Sequence, residues 1–468
     1  MKPKWWTLTA VSTGVFMLLL DLTIVNVALP DIQRSFGASL SDLQWTIDAY
    51  ALTLAAFLLT AGSLADLAGR RLLFATGVAA FTLGSLACGL ADGPLFLIVA
   101  RAAQGVGGAI MFATSLALIA QAFRGRDRAL AFGLLGAITG VAVAIGPVLG
   151  GVLTSISWRW IFLVNLPIGA FALLVTLTKV AESRNPFAKR PDFVGFVTFS
   201  AGLAALTFGL IRSNDDGWAS TTVIASFVTA AVLVVAFVVA ELVQREPILE
   251  LGLFRVPTFS GALAAALAIN GSLFSLLTYM ILYFEQSLKL SPAETGVRFL
   301  PLTGAIFFAS GIAGRLSERV PNRFLIAPGF GLVGAGLLLM RGITADSNWT
   351  HLLPGMIVAG IGAGLVNVPL AATAIGIVQP ARAGMASGIN TTFRQVGTAT
   401  GVAALGSIFA AQAGFVDGLN VVLLVGAVTA FAAGGLTLFL VRERDLVREE
   451  EQDDTAPAVE HDAAPMVA

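Results

Sequence analysis

Windows of about 20 largely apolar residues, the length that carries an α-helix across a bilayer, can be laid along this chain fourteen times. They fall at roughly 6–29, 44–65, 72–91, 94–117, 129–154, 158–180, 193–212, 220–243, 258–284, 297–314, 324–342, 351–378, 384–412 and 419–441. Segments of this length and polarity satisfy their backbone hydrogen bonds in lipid only as helices. Charged residues make up 12% of the 468, about half the share usual in soluble domains, which is too few to cover an aqueous surface. The expected class is an all-α polytopic membrane protein embedded in the lipid bilayer. The opening Met1-Lys2-Pro3-Lys4-Trp5-Trp6 is followed by an apolar run with no small-residue cleavage site and with Asp21 inside it, so it reads as an uncleaved first span.

Charge sets the orientation. Giving alternate loops to the cytoplasm places twenty of the 28 Lys and Arg residues there, with Lys2, Arg71, Arg128, Arg190, Arg255, Arg323 and Arg382 marking successive loops. The opposite loops and span ends hold six: Arg34, Arg159, Arg212, Lys289, Arg298 and Arg341. That is the bias of the positive-inside rule, and it puts both termini in the cytoplasm.

One charged turn occurs twice. Gly62-Ser63-Leu64-Ala65-Asp66-Leu67-Ala68-Gly69-Arg70-Arg71 follows the second window, and Gly314-Arg315-Leu316-Ser317-Glu318-Arg319-Val320-Pro321-Asn322-Arg323 follows the tenth. A parallel repeat in a membrane chain points to a duplicated bundle and to transport by alternating access. An offset of eight windows is six plus two. The expected layout is therefore an N-terminal six-helix bundle (1–180), two inserted helices with linkers (181–257), a C-terminal six-helix bundle (258–441) and a charged, disordered cytoplasmic tail (442–468).

Several functions are excluded or left without support. The single Cys88 allows no internal disulfide, and His351 and His461 are far apart in sequence, so neither metal nor redox chemistry is expected. GxxxxGK[ST] is absent, so the chain lacks the phosphate cradle for ATP hydrolysis. Gly105-Val106-Gly107-Gly108 lies inside an apolar window and is no nucleotide loop. No nucleophile or metal constellation suggests an enzyme, and no cofactor or nucleic-acid partner is called for.

A few polar residues fall where apolar ones are cheaper. Asp21 lies about eight residues, roughly 12 Å, inside the outer end of the first window, and Arg101 lies at a similar depth, roughly 10 Å, in the fourth. A carboxylate at that depth is costly unless paired or hydrated, so Asp21 is either a proton carrier or half of a packing ion pair with Arg101. Asp48, about four residues inside the second window, is open to both readings. Glu285 ends the ninth window, as a solvated helix end or a cargo contact. Arg394 is near the middle of the thirteenth, too deep to snorkel, and either ties its helix to a neighbour or meets an anionic cargo group. Thirty-two Phe residues suit an apolar cavity, although most would face core or lipid.

Six segments, in chain order, resemble the major facilitator superfamily and its fourteen-span drug:proton antiporter branch (EmrB/QacA-like). They are Leu20-Asp21-Leu22-Thr23-Ile24-Val25-Asn26-Val27-Ala28-Leu29-Pro30; the Gly62 turn; Arg101-Ala102-Ala103-Gln104-Gly105-Val106-Gly107-Gly108; Gly146-Pro147-Val148-Leu149-Gly150-Gly151; Trp158-Arg159-Trp160-Ile161-Phe162-Leu163-Val164-Asn165-Leu166-Pro167; and Ser387-Gly388-Ile389-Asn390-Thr391-Thr392-Phe393-Arg394-Gln395-Val396-Gly397. The resemblance implies the major facilitator fold and export of an amphipathic small molecule from a bacterial inner or plasma membrane by a monomer, in exchange for protons. Asp21 would be the leading protonation site, with Arg101 tuning it and Asp48 assisting. Asn26, Gln104, Asn165, Glu285, Asn390 and Arg394 are candidates for cargo contact. Gly62, Asp66, Gly69, Arg70 and Arg71 would form a conformational latch, the glycines permitting a sharp turn and the charges pairing in one conformation only. Leu67 stands where the family usually has a basic residue. Gly146, Pro147, Gly150 and Gly151 would form the antiporter motif, with Gly136 and Gly140 on the same side of the helix. That motif argues against the nearest alternative, an uptake system or a facilitator for an endogenous metabolite. Short loops argue against a sensor or scaffold.

Overall fold

The computed structural model describes residues 3–123, 125–184, 192–244, 249–317, 319–344, 346–378 and 383–445. Every apolar window carries a helix: α1 (Pro3–Phe36), α2 (Leu40–Ala68), α3 (Arg70–Gly89), α4 (Pro94–Ala122), α5 (Gly125–Ile156), α6 (Trp160–Lys179), α7 (Phe193–Asp216), α8 (Thr221–Val243), α9 (Pro257–Ser287), α10 (Pro292–Leu316), α11 (Arg323–Leu339), α12 (Leu353–Gly376), α13 (Ala383–Ala410) and α14 (Phe415–Leu440). Among the described residues, eleven of these are long and apolar enough to cross a membrane, and α11, apolar but shorter, has 17 residues. Most of the expected tail, from residue 446 on, lies outside the described residues, as does Glu318 in the second copy of the charged turn.

Helix ends follow local chemistry. Ser39 and Ser291 close capping boxes with Asp42 and Glu294, and Ser220 and Asp192 cap α8 and α7, satisfying backbone N–H groups that have no partner within the helix. Pro94, Pro257 and Pro292 occupy first turns, where a missing N–H costs nothing. A single residue, Gly69, separates α2 from α3, with φ of 118°, a conformation open to glycine and few others.

Small residues decide how the helices pack. A side chain at Gly77 or Gly107 would run into the facing backbone across the α3–α4 seam, and one at Gly336 or Gly362 would do the same between α11 and α12. In lipid such close backbone approach replaces the hydrophobic drive that water provides elsewhere. In the first half, α1 packs on α5 and α6, α4 on α2 and α3, and α3 on α6; in the second, α12 packs on α10 and α11, α14 on α11, and α9 on α13 and α14. The halves meet along α1–α9, α2–α13 and α5–α10. The pair α7–α8 lies beside the α2–α13 seam, where Ser407 Oγ donates to the carbonyl of Leu210 at 2.6 Å and Phe196 meets Phe57 edge-on at 4.7 Å.

Helix α9 departs from regular geometry at two π-turns, Asn270–Phe274 and Tyr283–Ser287. The second of these turns Glu285 inward, and its side chain is only 2% exposed. The helix end expected to be solvated is therefore buried. An inserted π-turn leaves no trace in apolar periodicity, and such turns recur at functional sites.

Candidate transport pathway and proton site

Asp21 and Arg101 meet inside the first half. Arg101 Nη1 donates to Asp21 Oδ2 at 2.6 Å and to Gln104 Oε1 at 2.6 Å, and its Nε donates to the carbonyl of Thr46 at 3.2 Å. Gln104 Nε2 donates to Asp21 Oδ1 at 2.9 Å and Asn165 Nδ2 to the same oxygen at 3.2 Å, while both also reach Ser85 Oγ. The Tyr50 ring lies 4.2 Å from the guanidinium carbon. Asp21, Ser85, Gln104 and Asn165 are wholly inaccessible to solvent. Buried ions persist when paired and when their remaining lone pairs are filled, and this network meets both conditions. Gln104 and Asn165, read as possible cargo contacts, point into it.

Asp48 has the opposite environment. It is also fully buried, yet among the described residues neither carboxylate oxygen has a hydrogen-bond partner. One turn away, Gln44 Nε2 reaches across to the other half, donating to the carbonyl of Val402 at 3.1 Å and to Tyr279 Oη at 3.4 Å; Tyr279 donates to the same carbonyl at 2.6 Å. Asp48 thus sits against the seam between the halves, under a hydrogen-bonded closure.

The same end of the molecule is sealed by further contacts between the halves. Thr278 Oγ1 donates to Asn26 Oδ1 at 3.0 Å, Gln286 Nε2 to Gln33 Oε1 at 2.7 Å, and Arg34, paired with Asp31, lies 3.6 Å from Glu285. At the opposite end, a cleft of about 610 Å³ opens between α1 and α5, lined by Trp5, Leu8, Thr9, Ser12, Thr13, Phe16, Leu134 and Ile138.

The Gly146-Pro147 motif lies where three helices from both halves converge. A side chain at Gly146 or Gly150 would strike Thr23 or Ile24 on α1, one at Gly151 would overlap the Pro292 carbonyl on α10, and one at Gly296 would overlap the carbonyl of Pro147. Gly151→Leu is accordingly expected to hold the sealed end ajar. A cysteine introduced at Thr278, in a Cys88→Ala background, should react several-fold faster with an impermeant maleimide when Gly151 is replaced.

At the charged turn, the Glu182 carboxylate accepts from the backbone N–H groups of Arg71 and Leu72, each at 3.0 Å, and Ser183 O accepts from Arg70 N at 2.9 Å. Arg71 Nη1 also donates to the carbonyl of Val180 at 3.3 Å. A side chain at Gly69 would meet Glu182 at 2.9 Å, whereas Gly62 has open space beside it. The Asp66 side chain lies outside the described residues. Glu182 therefore caps α3 from the segment that follows α6. Glu182→Ala should cost about 1 kcal/mol, the usual worth of a cap, read as a lower thermal midpoint in detergent, and Glu182→Gln should cost less. Sequence reasoning missed Glu182 together with Gln44, Ser85 and Tyr279. Only Gln44, a polar residue at the rim of an apolar window, offered a signal.

On α13, Arg394 Nη1 donates to Asn367 Oδ1 at 2.9 Å, its Nη2 to the carbonyl of Asn367 at 3.4 Å and its Nε to Asn390 Oδ1 at 3.2 Å. Glu285 and Asn26 are at the sealed end, away from Arg394 and Asn390 along the helices.

Two facing bundles of apolar helices with a sealed end and ionisable groups in their interior define a membrane transporter. The chain belongs to the Major Facilitator Superfamily, whose family model matches residues 11–402 and 262–465. It is 40% identical to the multidrug resistance protein Stp of Mycobacterium tuberculosis over 407 residues, covering 86% of this chain and 76% of that protein. It is 35% identical to the puromycin resistance protein pur8 of Streptomyces alboniger over 473 residues, covering 97% and 94%, and 34% identical to the tetracenomycin C resistance and export protein of Streptomyces glaucescens over 415 residues, covering 88% and 77%. Among solved structures, an inward-facing, occupied bacterial homologue of the human lysosomal transporter Spinster superposes with a TM-score of 0.65 at 16% identity, over 96% of this chain and all of that one. The human organic anion transporter MFSD10 gives 0.66 at 16% identity, over 93% of this chain and all of that one. At that identity the likeness is one of fold.

Proposed function

We propose that this chain is a proton-coupled exporter of amphipathic small molecules, resident in a bacterial inner membrane as a monomer of fourteen spans in a six-two-six layout, with both termini cytoplasmic. The observation that carries the coupling is Asp48, buried without a donor beneath the Gln44–Tyr279–Val402 closure. A carboxylate ion without partners in such a place is costly and the neutral acid much less so, so closing the seam and holding a proton favour each other. Opening the sealed end would hydrate Asp48 and exchange its proton with the outside. Asp21 and Arg101, locked to each other and to Thr46 on α2, keep that helix in register. The Gly146-Pro147 motif is the seam of the moving halves, and the Gly69–Glu182 turn holds the α2–α3 corner rigid within the first of them. The relatives' names, which include puromycin resistance and tetracenomycin C resistance and export, support export as the direction.

The test is efflux of puromycin and of a panel of amphipathic dyes from proteoliposomes under an imposed pH gradient. Accumulation against a concentration gradient that vanishes when the pH gradient is collapsed is the expected result; flux indifferent to pH would overturn proton coupling. Topology has its own check: reporter fusions after Arg71, Arg128, Arg190, Arg255, Arg323 and Arg382 should report cytoplasm, and one at Gly217 the outside. A cytoplasmic Gly217 would remove the inserted pair.

A further inference from the structure

Among the described residues, Arg394 is a cation with no counter-ion. It lies eleven residues from the Ala383 end of α13 and sixteen from the Ala410 end, roughly 16 and 24 Å, beyond the reach of an arginine side chain to either lipid headgroup region. An ionised group at such depth is ordinarily matched by an acid, as Arg101 is by Asp21. Among the described residues no carboxylate lies within ion-pair distance of Arg394, and its hydrogen bonds go to the neutral Asn367 and Asn390.

Those bonds leave donors over. A guanidinium has five N–H groups and three are engaged here, so one remains on each Nη. Asn390 is 4% exposed, turns its oxygen to Arg394, and its Nδ2 has no partner. Arg394 itself is only half-buried. A buried donor left unused, as Asn390 Nδ2 is, carries a cost that an arriving acceptor removes, and the planar fork of arginine suits a two-oxygen anion better than a lysine would.

We infer that Arg394 and Asn390, with Asn367 holding the guanidinium in place, form a binding site for an anionic group, such as a carboxylate, on an amphipathic molecule carried by this protein. The inference rests on the transport reading above for what becomes of the molecule, but the site itself is a matter of binding. Its occupant is an organic anion with an apolar body, because the surrounding helices are apolar and a free inorganic anion would have to shed its hydration for one guanidinium and one amide.

The experiment uses the full chain in detergent and two probes of matched shape, pyrenebutyrate and the uncharged pyrenebutanol, with inorganic phosphate as a third. Wild-type protein should bind pyrenebutyrate at least about tenfold more tightly than pyrenebutanol, the worth of about 1.4 kcal/mol, and phosphate should not compete at equal concentration. Arg394→Gln should abolish the preference while changing the Kd for pyrenebutanol less than twofold. Asn390→Asp supplies the missing counter-ion within the helix. It should preserve the thermal midpoint and still lose pyrenebutyrate, a result that a purely structural role for Arg394 would not give. A wild type that does not prefer pyrenebutyrate, an equal loss of both probes in Arg394→Gln, or undiminished pyrenebutyrate binding by Asn390→Asp would overturn the proposal. Absence of gradient-driven efflux with the binding preference intact would count against the export reading alone.

Discussion

Asp48→Asn is expected to uncouple the transporter without unfolding it. Asparagine closely matches the shape of the neutral acid, so the seam beneath Gln44 and Tyr279 should close as before, and removing an ion-forming group from a donor-free site should not lower the thermal midpoint. What disappears is the proton that would be carried through each cycle. One pH unit is worth about 1.4 kcal/mol per proton, so a one-for-one exchanger can hold an approximately tenfold cargo gradient, whereas the Asp48→Asn protein should equilibrate cargo to a ratio of about one. Downhill exchange of labelled for unlabelled cargo should persist. A wild-type accumulation ratio in the variant would remove Asp48 from the mechanism, and Glu285, which among the described residues is also buried between the halves with no hydrogen-bond partner, would be tested next beside Asp21.

How far the sequence carried depends on the type of signal. Helix positions were legible because a span has a fixed length and an apolar composition; the packing of α7–α8 beside the α2–α13 seam was not, because a repeat offset counts helices without placing them. Membership of the superfamily was legible from six ordered motifs. The depths of Asp21 and Arg101 were legible from the rise per residue, which is why their meeting could be anticipated. Their environments were not. Whether a membrane acid has donors around it depends on residues far away in sequence: Gln104 and Asn165 reach Asp21 from two other helices, and among the described residues no donor reaches Asp48. Glu182 lies 111 positions from Arg71, and only the return of the chain after α6 makes it a cap. The π-turn at Tyr283–Ser287, which turns Glu285 inward, is a change in helical winding that apolar periodicity cannot report.

The second large effect is expected in the Asp21–Arg101 network, and there stability is what should fall. Arg101→Ala leaves Asp21 buried with only the amides of Gln104 and Asn165, and breaking a buried pair from one side typically costs about 3–5 kcal/mol. The variant should melt well below wild type or fail to accumulate. Asp21→Asn strands the guanidinium in the same way, so loss of export in that variant alone would not identify a proton carrier. The double replacement Asp21→Asn with Arg101→Gln removes both charges and keeps groups able to hydrogen-bond to Gln104 and Asn165. It should recover much of the lost stability, giving a coupling energy of up to about 3 kcal/mol in a double-mutant cycle. Arg101→Lys should recover less activity than stability, since a lysine cannot hold Asp21, Gln104 and the Thr46 carbonyl together as the planar fork does. If the double variant melts no higher than Arg101→Ala and the cycle shows no coupling, the pair is not the structural tie described here; if it is stable yet loses the proton-driven cargo gradient while Asp48→Asn retains it, the coupling proton belongs to Asp21 instead.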